Sequence, residues 1–239
     1  MKNSSLRLVL AALFWALISL VFAATPALAA QADPRWRTEG DARACRAPLS
    51  FDPMVARGPG QGKKVLVIGD SVTRDSRSML TKALKSAGWN PVIRCFGGKR
   101  INWGISQLRD QRVWEGIPNT VVIALGTNDM RWVDRSTTKA RINKILNRIG
   151  PTRNVLWVNL YGRNGDRFSK SKQKWFNKTI EKIASNRPNV HVLPWDKYAE
   201  TAKIPMSSPL HYARKGLVLR TKLTVGYLNT AFGVDSPLR

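Results

Sequence analysis

A hydroxyl, an imidazole, a neutral carboxamide and an unhindered backbone N–H are the groups that acyl transfer needs. A serine attacks the carbonyl, a histidine takes its proton, and preplaced donors hold the oxyanion. In this chain of 239 residues they stand in four short stretches. Ser71 ends Gly69-Asp70-Ser71, Gly98 ends Cys95-Phe96-Gly97-Gly98, Asn128 lies in Gly126-Thr127-Asn128-Asp129, and His211 lies in Ser208-Pro209-Leu210-His211-Tyr212. Asn128 suits an oxyanion because its amide donates without carrying charge. Gly98 suits it because a missing Cβ lets a substrate oxygen approach the N–H. Taken alone, Gly-Asp-Ser also reads as a plain turn, since all three residues favour turns.

Alternating apolar runs and helical patterns must carry these loops. The run 64–69 enters Gly69-Asp70-Ser71 directly, and further strands are predicted at 91–96, 119–125, 154–160 and 189–194. Helices are predicted at 75–88, 101–110, 136–149, 170–186 and 212–230. Val121 to Leu125 is wholly apolar, as in a central strand covered on both faces. Strands separated by helices imply right-handed crossovers, and so an α/β fold of about five parallel strands between helix layers. The loops after the first three strands then share one rim, at the carboxyl end where open α/β sheets bind ligands. The loop holding His211 can reach it.

Taken together and in this order, Gly69-Asp70-Ser71, Gly98 with Gly104, Gly126-Thr127-Asn128-Asp129 and His211 resemble the four blocks of the SGNH (GDSL) hydrolase family. The resemblance covers roughly residues 64–232. It implies a flavodoxin-like three-layer α/β/α sandwich and a serine esterase or acyl-transfer activity without metal or cofactor. By position, Ser71 is the nucleophile, His211 the base, and Gly98, Asn128 and the Ser71 N–H the oxyanion donors. The run Val155 to Arg163 and the stretch Leu193-Pro194-Trp195-Asp196 also resemble SGNH domains fused to membrane O-acyltransferases of bacterial envelopes.

One departure stands out. Family members carry Asp three residues before the histidine, and this chain has Ser208. A carboxylate there orients the imidazole and stabilises its charged form. Three readings follow: a Ser71–His211 dyad with Ser208 or a backbone carbonyl orienting the ring; Asp196, at the end of the fifth strand, reaching His211; or a weakened site kept for binding.

Arg74, Arg77, Arg100 and Arg131 fall in or just after the rim loops and could select an anionic substrate. Trp103 and Trp132 adjoin two of the blocks and could form acyl-pocket or sugar-stacking walls, with core packing as the alternative. Asp70 reads as a helix cap, Asp129 as a loop organiser and His191 as a structural histidine within a strand. No Cys/His spacing suggests a metal site, and the glycines match no phosphate-cradling loop.

Residues 1–30 read as a secretory signal: Lys2 and Arg7, an apolar run from Leu8 to Ala24, then Ala27-Leu28-Ala29. An uncleaved anchor is the alternative. Residues 31–62 read as an extended arm ending in Gly58-Pro59-Gly60-Gln61-Gly62, and 63–239 as the hydrolase-like domain. No later segment is apolar for long enough to span a bilayer. The expected location is therefore secreted, periplasmic or cell-envelope. In such an oxidising compartment the only cysteines, Cys45 and Cys95, suggest one disulfide, with two free thiols as the alternative. A net charge of +25 attracts polyanions, and outside the cell anionic envelope polymers are the available ones. The basic residues are scattered, which gives no ground for specific nucleic-acid binding. The expectation is an exported SGNH-type serine esterase. Its substrate is an acylated carbohydrate or another ester, with O-acetyl esters of envelope or environmental polysaccharide foremost. The alternatives are an acyltransferase on envelope glycans and a surface-binding protein on the same fold.

Overall fold

The computed structural model describes residues 63–114 and 116–233. The leader, the arm and Cys45 lie outside the described residues. Five strands, β1 (Lys63–Gly69), β2 (Trp89–Cys95), β3 (Thr120–Ala124), β4 (Asn154–Val158) and β5 (Val190–Leu193), form one sheet in the order β2-β1-β3-β4-β5. Every neighbouring pair is parallel. Pro91 lies in β2, which among the described residues pairs with β1 alone, and an edge strand is where a residue without an N–H does least damage to a sheet.

The helices are α1 (Ser71–Ser86), α2 (Ile101–Trp114), α3 (Thr127–Trp132), α4 (Arg135–Ile149), α5 (Lys170–Ala184), α6 (Trp195–Thr201) and α7 (Arg214–Phe232). Alternation along the strands sends successive side chains to opposite faces. Leu66, Ile68, Val121, Ile123, Val155 and Trp157 pack in one core with residues of α2, α4 and α5. Val65, Val67, Val122, Ala124, Leu156 and Val158 pack in a second core with residues of α1, α6 and α7. Both faces of the sheet are covered, which explains the continuous apolar strands. Trp157 and Phe176 are fully buried and tilted against each other at 6.2 Å. Each such side chain contributes about 1.5–3 kcal/mol by leaving water.

Strand order locates the site. From β1 the chain moves outward to β2, then returns across β1 to β3 and continues the other way. The connections after β1 and β3 therefore diverge to opposite faces, leaving a crevice at their carboxyl ends. Ser71 follows β1 and Asn128 follows β3.

The five expected strands are all present within two residues of their expected limits. One helix boundary differs in a way that matters. The first helix begins at Ser71 rather than near Asp75. Its first turn, Ser71-Val72-Thr73-Arg74-Asp75, is largely polar, so the apolar period becomes visible only further on. Two short helices, α3 and α6, were not expected; six and seven residues are too few to display a period.

Candidate active site

Strand β1 turns into α1 over a single residue. Asp70 is the N-cap, and its carboxylate accepts the Val72 N–H at 3.1 Å. A Cβ on Gly69 would stand 2.0 Å from Thr73 Oγ1, so only glycine lets strand and helix approach this closely. Ser71 is thus the first residue of α1. Its own N–H has no intrahelical acceptor and points with the positive end of the helix.

Helical geometry then supplies the group the sequence reading lacked. Residues four apart share one helix face, so Asp75 stands one turn behind Ser71. The His211 ring bridges the two: Nε2 lies 3.2 Å from Ser71 Oγ, and Nδ1 lies 2.6 Å from Asp75 Oδ2. A carboxylate only accepts, which assigns the proton to Nδ1 and leaves Nε2 free to accept from the Ser71 hydroxyl. The arrangement is a serine–histidine–aspartate relay whose carboxylate comes from α1, not from the loop before the histidine.

The two positions considered for that role do other work. Ser208 Oγ accepts the backbone N–H groups of Leu210 and His211, at 3.3 and 3.1 Å, and so shapes the loop that presents the ring without touching it. Asp196 caps the far end of the sheet's rim: Asn159 and Asn177 donate to its two carboxylate oxygens at 2.7 and 3.0 Å. The reading that Asp196 or Ser208 orients the ring is corrected to Asp75. The signal in the sequence was Ser-x-x-x-Asp, which means nothing unless the helix begins at the serine.

The electrostatics follow from this contact. The hydrogen bond to Asp75 pushes the His211 pKa up, and burial only partly opposes it. Burial alone would raise Asp75, yet hydrogen bonds from His211 and Arg74 hold it below the usual carboxylate value. Arg74 donates to Asp75 at 2.8 Å, and is thereby an electrostatic partner of the relay as well as a rim cation. Beneath the serine, burial pushes the Asp70 carboxyl up to about 6, against the pull of Arg220.

The third loop is tied to the first two. Asn128, 3 % exposed, donates from Nδ2 to the Lys99 carbonyl at 3.0 Å and to Asp70 Oδ2 at 3.4 Å. One side chain thus joins the β1, β2 and β3 loops. The longer contact is at the outer limit of a hydrogen bond, so its proton is the one an oxyanion can claim. Gly126, at φ +129, sends β3 into α3, and a Cβ there would stand 2.3 Å from the Phe176 ring. Asp129 accepts the Ile101 N–H at 2.9 Å and pairs with Arg141 at 3.2 Å, binding α3 to α2 and α4 as a loop organiser. Gly98 is exposed on the β2 loop, which runs beside β1 because the Phe96 N–H donates to the Gly69 carbonyl at 3.2 Å. Cys95, fully buried just before it, is disulfide-bonded, and its expected partner Cys45 lies outside the described residues.

Arg131 orients the Asn128 amide. Its Nη1 donates to Asn128 Oδ1 at 3.0 Å, while its Nε donates to the Asp166 carbonyl at 2.8 Å and its Nη2 pairs with the Asp166 carboxylate at 2.6 Å. This fork fixes which end of the amide faces the crevice. It also restrains Asp166 and Arg167, whose φ values of 50° and 63° are uncommon for residues with a Cβ. Arg131→Ala is expected to lower kcat by about 10- to 100-fold with KM changed by less than about threefold, because displacing Asn128, the expected oxyanion donor, is felt in the transition state. Steady-state kinetics on a soluble ester check this.

Of the remaining rim residues, Trp103 is partly buried and packs against the core beneath α2. Trp132 is 50 % exposed, with the guanidinium groups of Arg131 and Arg167 at 5.4 and 4.0 Å from its ring centre. The Arg100 carbonyl accepts from the first turn of α2, and its guanidinium acts on Asp129 through charge alone. His191 lies on the edge strand β5 against Phe232, remote from the crevice in sequence and contact. Among the described residues, no group of three or more His, Cys, Asp and Glu side chains could hold a metal ion. None of the described helices is long and apolar enough to cross a membrane.

No protein-family model matches the chain, and no curated protein matches it in sequence. Solved structures do match in fold. The C-terminal catalytic domain of peptidoglycan O-acetyltransferase A from Streptococcus pneumoniae superposes with a TM-score of 0.59 at 20% identity, over 74% of this chain and 98% of that one. A member of the lipolytic G-D-S-L family from Veillonella parvula gives 0.58 at 14% identity, over 72% and 98%. A family 3 carbohydrate esterase from Clostridium thermocellum gives 0.56 at 14% identity, over 71% and 96%. The four sequence blocks and the strand order agree with these matches: the chain has the three-layer α/β/α fold of the SGNH (GDSL) hydrolases.

Proposed function

We propose that this protein is an exported serine esterase of the SGNH type that removes O-acyl groups, foremost O-acetyl, from envelope or environmental polysaccharide. The observation that carries the reading is the His211 ring, held between Ser71 Oγ at 3.2 Å and Asp75 Oδ2 at 2.6 Å. The carboxylate at Asp75 removes the reason for regarding the site as weakened and kept only for binding.

The steps follow from the geometry. Ser71 Oγ attacks the acyl carbon while its proton passes to His211 Nε2. Asp75 stabilises the imidazolium that forms, without itself taking the proton. The Ser71 N–H, Asn128 Nδ2 and the Gly98 N–H are the candidate donors to the oxyanion. Collapse of the tetrahedral intermediate breaks the bond to the alcohol oxygen, which receives the proton from His211. Water then attacks the acyl-serine, His211 again acting as base, and the carboxylic acid leaves.

A second reading has support of its own. The likeness to a peptidoglycan O-acetyltransferase domain suggests that a sugar hydroxyl can replace water in the last step. The basic leader and apolar run of the sequence support export, and the acylated carbohydrate substrate is inferred from the carbohydrate esterase and acetyltransferase folds alone.

A serine-directed phosphonate ester tests the esterase reading. Treated with it, the mature protein is expected to gain one phosphonyl group, mapped by mass spectrometry to the peptide holding Ser71, and to lose p-nitrophenyl acetate turnover in step with labelling. Turnover that survives complete labelling, or a label on another serine, overturns the assignment. Release of acetate into water, against its appearance on an added sugar acceptor, separates hydrolysis from transfer.

A further inference from the structure

Away from the catalytic crevice, α4 and α5 leave a groove of about 670 Å³ between them, closed at its lower end by the loop before β5. Its walls carry Lys139 and Asn143 from α4, Trp175 and Lys182 from α5, and Arg187 from the loop. None of the residues lining it is acidic. Among the described residues, no ion pair neutralises the cations there. Arg187 donates at 2.7 Å to Asn147 Oδ1 and at 3.4 Å to Asn143 Oδ1, both neutral amides that orient it while leaving its charge in place. Lys139 and Lys182 are exposed, and neither forms an ion pair among the described residues. On the same flank, beside Asn143, a shallower depression adds Lys144, Asn147 and Arg148.

The groove also has a direction. In a parallel sheet the connecting helices run from the carboxyl end of one strand back to the amino end of the next. Helices α4 and α5 therefore both begin at the catalytic rim and descend together. Near their upper ends the half-buried Trp175 has the Arg135 guanidinium 5.4 Å from its ring centre. Arg135 follows Trp132 by three residues, and the Trp132 ring has the Arg131 and Arg167 guanidinium groups at 5.4 and 4.0 Å from its centre. Arg135 and Trp175 thus stand at the upper end of the groove, on the segment that follows the rim helix α3. Flat rings that stack on apolar sugar faces, amides that hydrogen-bond hydroxyls, and cations spaced along a helix are the recognition groups for an acidic sugar polymer.

We propose that this groove binds a strand of carboxylate-bearing polysaccharide and anchors it beside the catalytic crevice. The inference rests on the esterase reading only for what the anchored strand is presented to.

Binding is best measured in the mature protein carrying Ser71→Ala, so that turnover plays no part. The probe is polygalacturonate, with dextran as a neutral polymer and duplex DNA as a non-sugar polyanion. Lys139→Glu with Lys182→Glu reverses two groove charges. Lys82→Glu with Lys85→Glu makes the same change on exposed positions of α1, in the opposite helix layer. The groove pair is expected to weaken polygalacturonate binding about tenfold or more, and the α1 pair by less than about threefold. Dextran is expected to bind far more weakly than polygalacturonate. Equal weakening by both pairs overturns the proposal in favour of net charge alone. So does DNA binding as tight as polygalacturonate binding and equally lowered by the groove pair. Wild-type protein that binds polygalacturonate but turns over no ester refutes the esterase reading and leaves the groove standing.

Discussion

Ser71→Ala is expected to reduce ester turnover by about 10⁴- to 10⁶-fold, to the level of the uncatalysed reaction plus whatever the oxyanion donors retain. The expectation comes from how few groups share the chemistry. Ser71 Oγ has His211 Nε2 as its partner, and no second hydroxyl among the described residues contacts that ring nitrogen. His211→Ala is expected to cost a similar factor, and the double variant little more than either alone, because the two act as one unit. The fold should not suffer. Ser71 is the first residue of α1, where the N-cap bond belongs to Asp70, and alanine is a good helix former. Kinetics on p-nitrophenyl acetate, with thermal unfolding of each variant alongside, separate the two effects. Full turnover by either single variant with native-like unfolding would remove Ser71 and His211 from the chemistry.

The parts of this site that the sequence displayed are those encoded by local pattern. Four apolar residues before Gly69 mark a buried strand, and glycine and asparagine after β3 mark its turn, so the loops bearing Ser71 and Asn128 were assignable to one rim. His211 was found because its loop carries the fourth family block. What the sequence hid is pairing between side chains whose elements have ambiguous limits. With the helix begun at Asp75, that residue is a first-turn acid like many others. With it begun at Ser71, the same residue falls on the serine's face. Asp196 misled for the opposite reason. Its place after β5 was right, but only the fold reveals Asn159 and Asn177 already holding both its oxygens. The Arg131 fork belongs to the same class, since its partner Asp166 lies in a loop with no periodic signal.

Asp75→Asn tests the relay where it departs from the family pattern, and it is expected to lower kcat by about 10³- to 10⁴-fold. Asparagine keeps the shape but offers an N–H as well as an oxygen. Turned so that its N–H meets Nδ1, it holds the imidazole in the tautomer with the proton on Nε2, which cannot accept from Ser71. The pH profile gives a second readout that a merely structural role would not move. In the wild type the hydrogen bond that His211 Nδ1 donates to Asp75 raises the His211 pKa above 6.5, so the acid limb of kcat/KM lies above that value. Removing the carboxylate takes away the largest cause of the shift, and the residual activity should show its acid limb at lower pH. Stability should change in a matching window. The raised histidine contributes stability that is full at low pH and lost as pH rises through its folded pKa. The lowered carboxylate contributes stability that is full above 3.8 and lost as pH falls through its own. Both are present together from about pH 4 to somewhat above 6.5, so denaturant unfolding should show the variant's deficit largest there and smaller at about pH 9. A variant with wild-type kcat and an unmoved acid limb would show that Asp75 meets the ring without serving it, and the imidazole would then have to be oriented by its loop alone.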